Sequence, residues 1–281
     1  YLTFSGPKTD KTFSDNNATL NLTNDKGGVP IETNVLIQPE KKFKEIETFE
    51  PGAWIHLVNP SQEEALKVAE RFNIDIQDLR ASGVEETSRI DVEDDYTLIL
   101  VDIPTQEERN NKSYYVTIPL GIIVTDEVVV TTAREHQLMD DFLNHRVRNF
   151  YTFMKTRFVF QILYRNAQLY LTALRSIDRQ NDKIGAQLEN STKNEHLIDM
   201  MELEKSIVYL KASLKMNERI VKKLTGNASS LKKYIEDEDL LEDTLVETQQ
   251  AIEMAGIYEN VLKRHDRKPQ PLSSITTRTL S

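Results

Sequence analysis

The chain has 281 residues, of which 39% are hydrophobic and 28% charged, with a formal net charge of −10 and no cysteine. This is a globular balance, long enough for one large domain or two ordinary ones. The acidic balance argues against nucleic-acid phosphates as partners, and the missing thiols exclude disulfides, thiolate zinc sites and cysteine nucleophiles, in keeping with a reducing compartment.

No run of about 18 apolar residues occurs, so nothing in the chain reads as a membrane span. The start, YLTFSGPKTD, lacks the charged and apolar regions of a signal peptide. It opens on Tyr1 rather than Met, which reads as a fragment of a longer protein. Residues 1–40 are rich in Thr, Asn, Ser and Asp and are expected to be poorly ordered, with a short strand at Val35-Leu36-Ile37.

From Phe43 the pattern alternates as a half-buried strand does, Pro51-Gly52 turns the chain, and Trp54 to Val58 reads as the next strand. Ser61 and Glu64 form a capping-box pattern for a helix to about Phe72, with Ala65, Leu66, Val68, Ala69 and Phe72 inward. Asp75 caps a second, short helix through Leu79 to Ala81. Strands are expected at Ile90–Val92, Tyr96–Asp102, Tyr114–Ile118, Leu120–Val124 and Val128–Thr132, the last pair joined by Thr125-Asp126-Glu127. Residues 41–134 therefore read as an α/β domain with a mixed, mostly antiparallel sheet.

Residues 135–262 read as helix throughout. Apolar residues keep a 3-and-4 spacing from about Phe150 to Glu189 and again from Met200 to Leu224, with breaks at Asn190-Ser191-Thr192 and Gly226-Asn227. In the last stretch, 229–262, the residues Leu231, Tyr234, Leu241, Leu245, Ile252, Ala255 and Leu262 share one face. Three long amphipathic helices with hairpin breaks make a coiled-coil-like bundle ending in a stalk helix. Residues 263–281 form a polar basic tail where the helix pattern stops, native or non-native alike being open.

There is no Walker loop, GxSxG or HExxH, and nothing reads as an enzyme site. His136, Asp140, Asp141 and His145 pair at helical spacing and are the best local candidate for a transition metal or a metal-dependent hydrolase, although a solvated helix start explains the same residues. The acidic run Glu236-Asp237-Glu238-Asp239, with Glu242 and Asp243, offers hard oxygen ligands suited to Mg²⁺. On the sequence alone, a charged solvated face is the more common explanation of such a run. Asp78 and the pair Glu85-Glu86 are isolated acids, and Asn217 in an apolar seam reads as a register-setting residue.

The order of the motifs EPGAWIHLVNP at 50–60, Phe72-Asn73-Ile74, SRIDVEDDY at 88–96, Ile103-Pro104, LRSID at 174–178 and AGIYENVL at 255–262 resembles the CorA family of magnesium transporters. The resemblance covers about residues 43–262. It implies an N-terminal α/β/α sandwich, a stalk helix leading to the membrane, and a homopentameric funnel in which Mg²⁺ between neighbouring cytoplasmic domains holds the pore closed. The family's signature Gly-Met-Asn and both membrane helices are absent, so the resemblance implies the cytoplasmic portion of a cell-membrane protein. The family's stalk acid falls within Glu236, Asp237 and Glu238. Its short-helix acids fall near Arg80-Ala81, where Asp78 is the nearest carboxylate, and a third acid falls near Gln168-Leu169. Mg²⁺ is the implied ion, with Zn²⁺ or Co²⁺ as alternatives. A zinc-exporting relative and a soluble coiled-coil interaction protein stay open as other readings.

Overall fold

The computed structural model describes residues 21–22, 31–37, 44–45, 49–83, 87–109, 112–134, 138–144, 146–190, 194–226, 231 and 235–266. Most of the expected poorly ordered segment 1–40, and residues 267–281 of the expected tail, lie outside these.

Eight strands make one sheet: β1 (Asn21–Leu22), β2 (Ile31–Ile37), β3 (Lys44–Glu45), β4 (Trp54–Val58), β5 (Arg89–Val92), β6 (Tyr96–Arg109), β7 (Lys112–Thr125) and β8 (Val129–Ala133). Their order is β1-β2-β4-β8-β7-β6-β5, with β3 paired on β2. Every pairing is antiparallel except β4 with β8, where Trp54 faces Val129 and Val58 faces Ala133.

Alternation along the central strands sends side chains to two different cores. Ile55, Leu57, Leu98, Ile123 and Val130 meet α1 (Gln62–Phe72). Trp54, Ile99, Val101, Leu120 and Val129 meet α3 (Asp140–Leu143) and α4 (Lys155–Asn190) on the opposite face. The result is the expected α/β/α sandwich.

Helix α1 begins where its capping box places it: Glu64 N donates to Ser61 Oγ at 3.3 Å and Ser61 N donates to Glu64 Oε2 at 3.0 Å. Leu66, expected inward, is 43% exposed. It lies one residue past Ala65, about 100° round the helix from the stripe that faces the sheet. Helix α2 (Ile76–Arg80) is capped by Asp75 and runs into a 3-10 turn, Ala81–Gly83.

Strand β7 continues through Pro119, where two separate strands are expected. Pro119 lies opposite Asp102. In such a non-hydrogen-bonded pair the missing N–H points away from β6, and β8 pairs only from Gly121 onward on that side. The matching open edge of β6 begins where β5 ends, at Leu100. There Asp102 N donates to Asn217 Oδ1 at 3.1 Å, and Asp102 O accepts from Asn217 Nδ2, Asn166 Nδ2 and Tyr170. Asn217 thus acts as a helical substitute for the missing strand.

Residues 146–154, directly before α4, are not helical, although helix is expected there. Asn149 takes φ 52, and Phe150 folds back with its ring 4.5 Å from that of Phe158. Three long helices follow: α4, α5 (Asn194–Thr225) and α6 (Ile235–Asp266). Leu174, Ile177, Leu203, Ile207, Leu210, Ala251 and Ala255 form their shared core. On α6 the buried seam is Leu241, Thr244, Thr248, Ala251, Ala255 and Leu262, while Leu245 and Ile252 are only partly covered. The small residues let α6 lie close against both α4 and α5. The buried hydroxyls of Thr244 and Thr248 donate to the carbonyls of Leu240 and Thr244, both at 2.7 Å.

Candidate functional site

The acidic run opens α6, with Glu236 in its first turn. Carboxylates there face the positive end of the helix dipole. The seam that buries Thr244 also buries Asp237, seven residues earlier, and its side chain is 4% exposed. Asp237 Oδ1 accepts from Arg157 Nη1 of α4 at 3.4 Å. Glu238, Asp239, Glu242 and Asp243 are exposed on the outer side of the helix. Spacings of three and four place these carboxylates within reach of one another.

Asp78, on α2, is committed within its own subunit. Tyr96 donates its hydroxyl to Asp78 Oδ2 at 2.7 Å, and Arg89 Nη2 lies 3.3 Å from Oδ1. Arg89 also holds Asp91, and Asp75 N donates to the Tyr96 oxygen at 3.3 Å. Burial, followed by the Asp78 hydrogen bond, pushes the Tyr96 phenol upward, so it stays a donor. The SRIDVEDDY motif therefore knits α2 to the β5–β6 hairpin.

Arg80 is exposed at the end of α2, and Ala81 is buried. Gln168 Oε1 on α4 accepts from Arg165 Nη1 at 2.5 Å. Of the transition-metal candidate, His136 and His145 lie outside the described residues, as do Glu85 and Glu86. Asp141 is held by Arg165 and by Arg146, the latter at 3.5 Å, and Asp140 begins α3. Among the described residues no group of three or more His, Asp or Glu converges to hold a metal, and no helix is long and apolar enough to cross a membrane.

Two features escape a reading of the sequence alone. The first is Arg157, whose pairing with Asp237 joins the starts of α4 and α6. Farther along, Glu259 bridges Lys211 of α5 and Lys263 of its own helix at 2.7 and 2.5 Å. Those two lysines hold its carboxyl at about 2. The second is a cleft of about 450 Å³ at the end of β4 and β8, into which Arg80 and Arg134 converge.

A model of the CorA-like Mg²⁺ transporter protein family matches residues 50–265. A cobalt/magnesium transport protein CorA from Methanocaldococcus jannaschii is 24% identical over 227 residues, covering 74% of this chain and 66% of that protein. The solved soluble domain of CorA from the same organism superposes with TM-score 0.70 at 20% identity, covering 82% of this chain and 94% of that one. The cytoplasmic domain of ZntB from Vibrio parahaemolyticus superposes with TM-score 0.55 at 9% identity, covering 84% and 98%. At these identities the two structures speak for the fold alone.

Proposed function

Since this chain belongs to the CorA-like Mg²⁺ transporter protein family, we propose that it is the cytoplasmic regulatory part of a divalent-cation transporter at the cell membrane. In this reading the domain senses Mg²⁺ at the contacts between subunits of a homo-oligomer, a pentamer by family resemblance. It would act on the pore through α6.

The observation that carries this is the set of exposed carboxylates Glu238, Asp239, Glu242 and Asp243 on α6. Mg²⁺ keeps several waters and takes only one or two carboxylates from a protein, so the acids of one subunit suit half of a shared site. Asp237 and Asp78 have other work in this reading. Held by Arg157 and by Tyr96 with Arg89, they position α6 and α2 instead of meeting the ion. Carboxylate oxygens with no thiolate suit Mg²⁺ better than the softer Zn²⁺.

The thermodynamic requirement is a difference in affinity. The ion must bind the closed arrangement of subunits better than the open one, so that falling Mg²⁺ releases it. Sedimentation velocity in millimolar Mg²⁺ and in EDTA tests the inter-subunit part. Mg²⁺ should raise the mass of the particle, and charge-neutral replacement of the four exposed acids should remove that dependence. An identical mass in both buffers would count against a shared site.

A further inference from the structure

The sheet has one parallel neighbour pair, β4 and β8, and their continuations part at the carboxyl end. After β4 the chain passes through Asn59 and Pro60 into α1 on one face. After β8 it passes through Arg134 toward α3 on the other. Such a divergence is a topological switch point, where a crevice opens at the strand ends. Here the crevice is the 450 Å³ cleft, within the range of about 300–1,000 Å³ typical of small-molecule sites.

Its floor is rigid. Thr132 donates to the Leu79 carbonyl at 2.9 Å and lies 2.6 Å from the Ser82 hydroxyl, and both residues are buried. Asn59 N donates to Ala133 O at 2.8 Å and locks the two strand ends together. Asn59 itself sits at φ 46, turning the chain away sharply from β4.

Among the described residues, the lining of the cleft is opposite in charge to the molecule. The chain carries −10, yet the described lining holds two arginines and no carboxylate. Arg134 is oriented by donating Nη2 to the Gly83 carbonyl. Neither Arg80 nor Arg134 forms an ion pair among the described residues, in contrast to Arg71, Arg89 and Arg157. Ile76, half-buried, supplies an apolar wall, and Gln77 and Asn59 supply neutral polar groups.

We propose that this cleft binds a small phosphate monoester of mononucleotide size, its phosphate forked by Arg80 and Arg134 and its body against Ile76. Two guanidiniums match the oxygens and the double charge of a phosphate, and the apolar wall calls for an organic body. The site is built from α2 and the ends of β4 and β8 instead of the carboxylates of α6, and it takes the opposite charge.

Titration calorimetry of the whole chain with AMP and with inorganic phosphate, at constant ionic strength, tests it. AMP should bind one per chain and more tightly than inorganic phosphate. Loss of one charge-assisted contact in Arg80→Gln should weaken binding about 10- to 100-fold. Arg80 is exposed, so this variant should melt like the parent. Arg71→Gln, a surface arginine elsewhere, should leave the affinity unchanged. No binding of either anion up to the millimolar range overturns the proposal, as does binding that survives Arg80→Gln. A concentration-dependent self-association abolished by Arg80→Gln, without anion binding, would assign the cleft to acidic side chains of a second copy and also overturn it.

Discussion

The Trp54 face of the sheet and the seam of α6 are held by different physics. Beneath the sheet, Trp54, Phe142, Phe150 and Phe158 interlock, with centroids 4.5–6.4 Å apart. The Trp54 indole donates to Thr131 at 2.8 Å, so burial leaves its polar atom satisfied. Between Leu241 and Leu262 the α6 seam is built from threonine and alanine, whose side chains bury little apolar area each. Its ends are tied by ion pairs, Asp237–Arg157 at one and Glu259–Lys211 at the other. The sheet is thus a rigid platform. Helix α6 is instead held by close packing of small side chains and by polar ties at its two ends.

The largest effect should come from the aromatic face. Trp54→Ala removes a fully buried side chain, and large-to-small aromatic changes cost about 3–5 kcal/mol. Urea unfolding should show that loss, and a cost below about 1 kcal/mol would mean that the cluster is not the platform's keystone.

Next comes the buried pair. Arg157→Leu leaves Asp237 charged and 4% exposed, which costs about 3 kcal/mol. The double variant Arg157→Leu with Asp237→Leu should recover most of it, because the unpaired charge is gone. If the double variant is as unstable as the single, packing is responsible.

The smallest effect is pH-dependent. Glu259 is held at about 2 in the folded chain against its ordinary 4.5. Its contribution is therefore full above about 4.5 and fades as pH falls toward 2, because the unfolded chain takes up the proton first. Glu259→Gln should flatten the stability–pH curve in that window and leave its shape at neutral pH unchanged. A curve as steep as the parent's would place the acid sensitivity elsewhere.

Local signals in the sequence were reliable where one element decides the outcome. The Ser61–Glu64 box and the Asp75 cap appear where the residues place them, and α4 ends at Asn190 and α5 at Thr225, while Ser191, Thr192 and Asn227 of the expected breaks lie outside the described residues. The register of the α6 seam was harder to read. A stripe through Leu245 and Ile252 turns Glu238 inward, whereas the observed stripe through Thr244 and Ala251 turns Asp237 inward and leaves Glu238 exposed. The larger leucine and isoleucine outweigh threonine and alanine in any count of hydrophobicity. Helices seated in a narrow groove between two neighbours favour the small residues. The Arg80–Arg134 cleft was illegible for another reason. It exists only because β4 and β8 are parallel neighbours, a pairing that no local pattern encodes.

The most direct test of the account is the melting temperature of this chain with and without millimolar Mg²⁺, measured beside a variant carrying Glu238→Gln, Asp239→Asn, Glu242→Gln and Asp243→Asn. An ion that binds only the native state must raise the midpoint. The account predicts a rise in the parent chain that the variant loses. Equal midpoints with and without Mg²⁺ in the parent, or an equal rise in the variant, would contradict cation sensing by the outer face of α6.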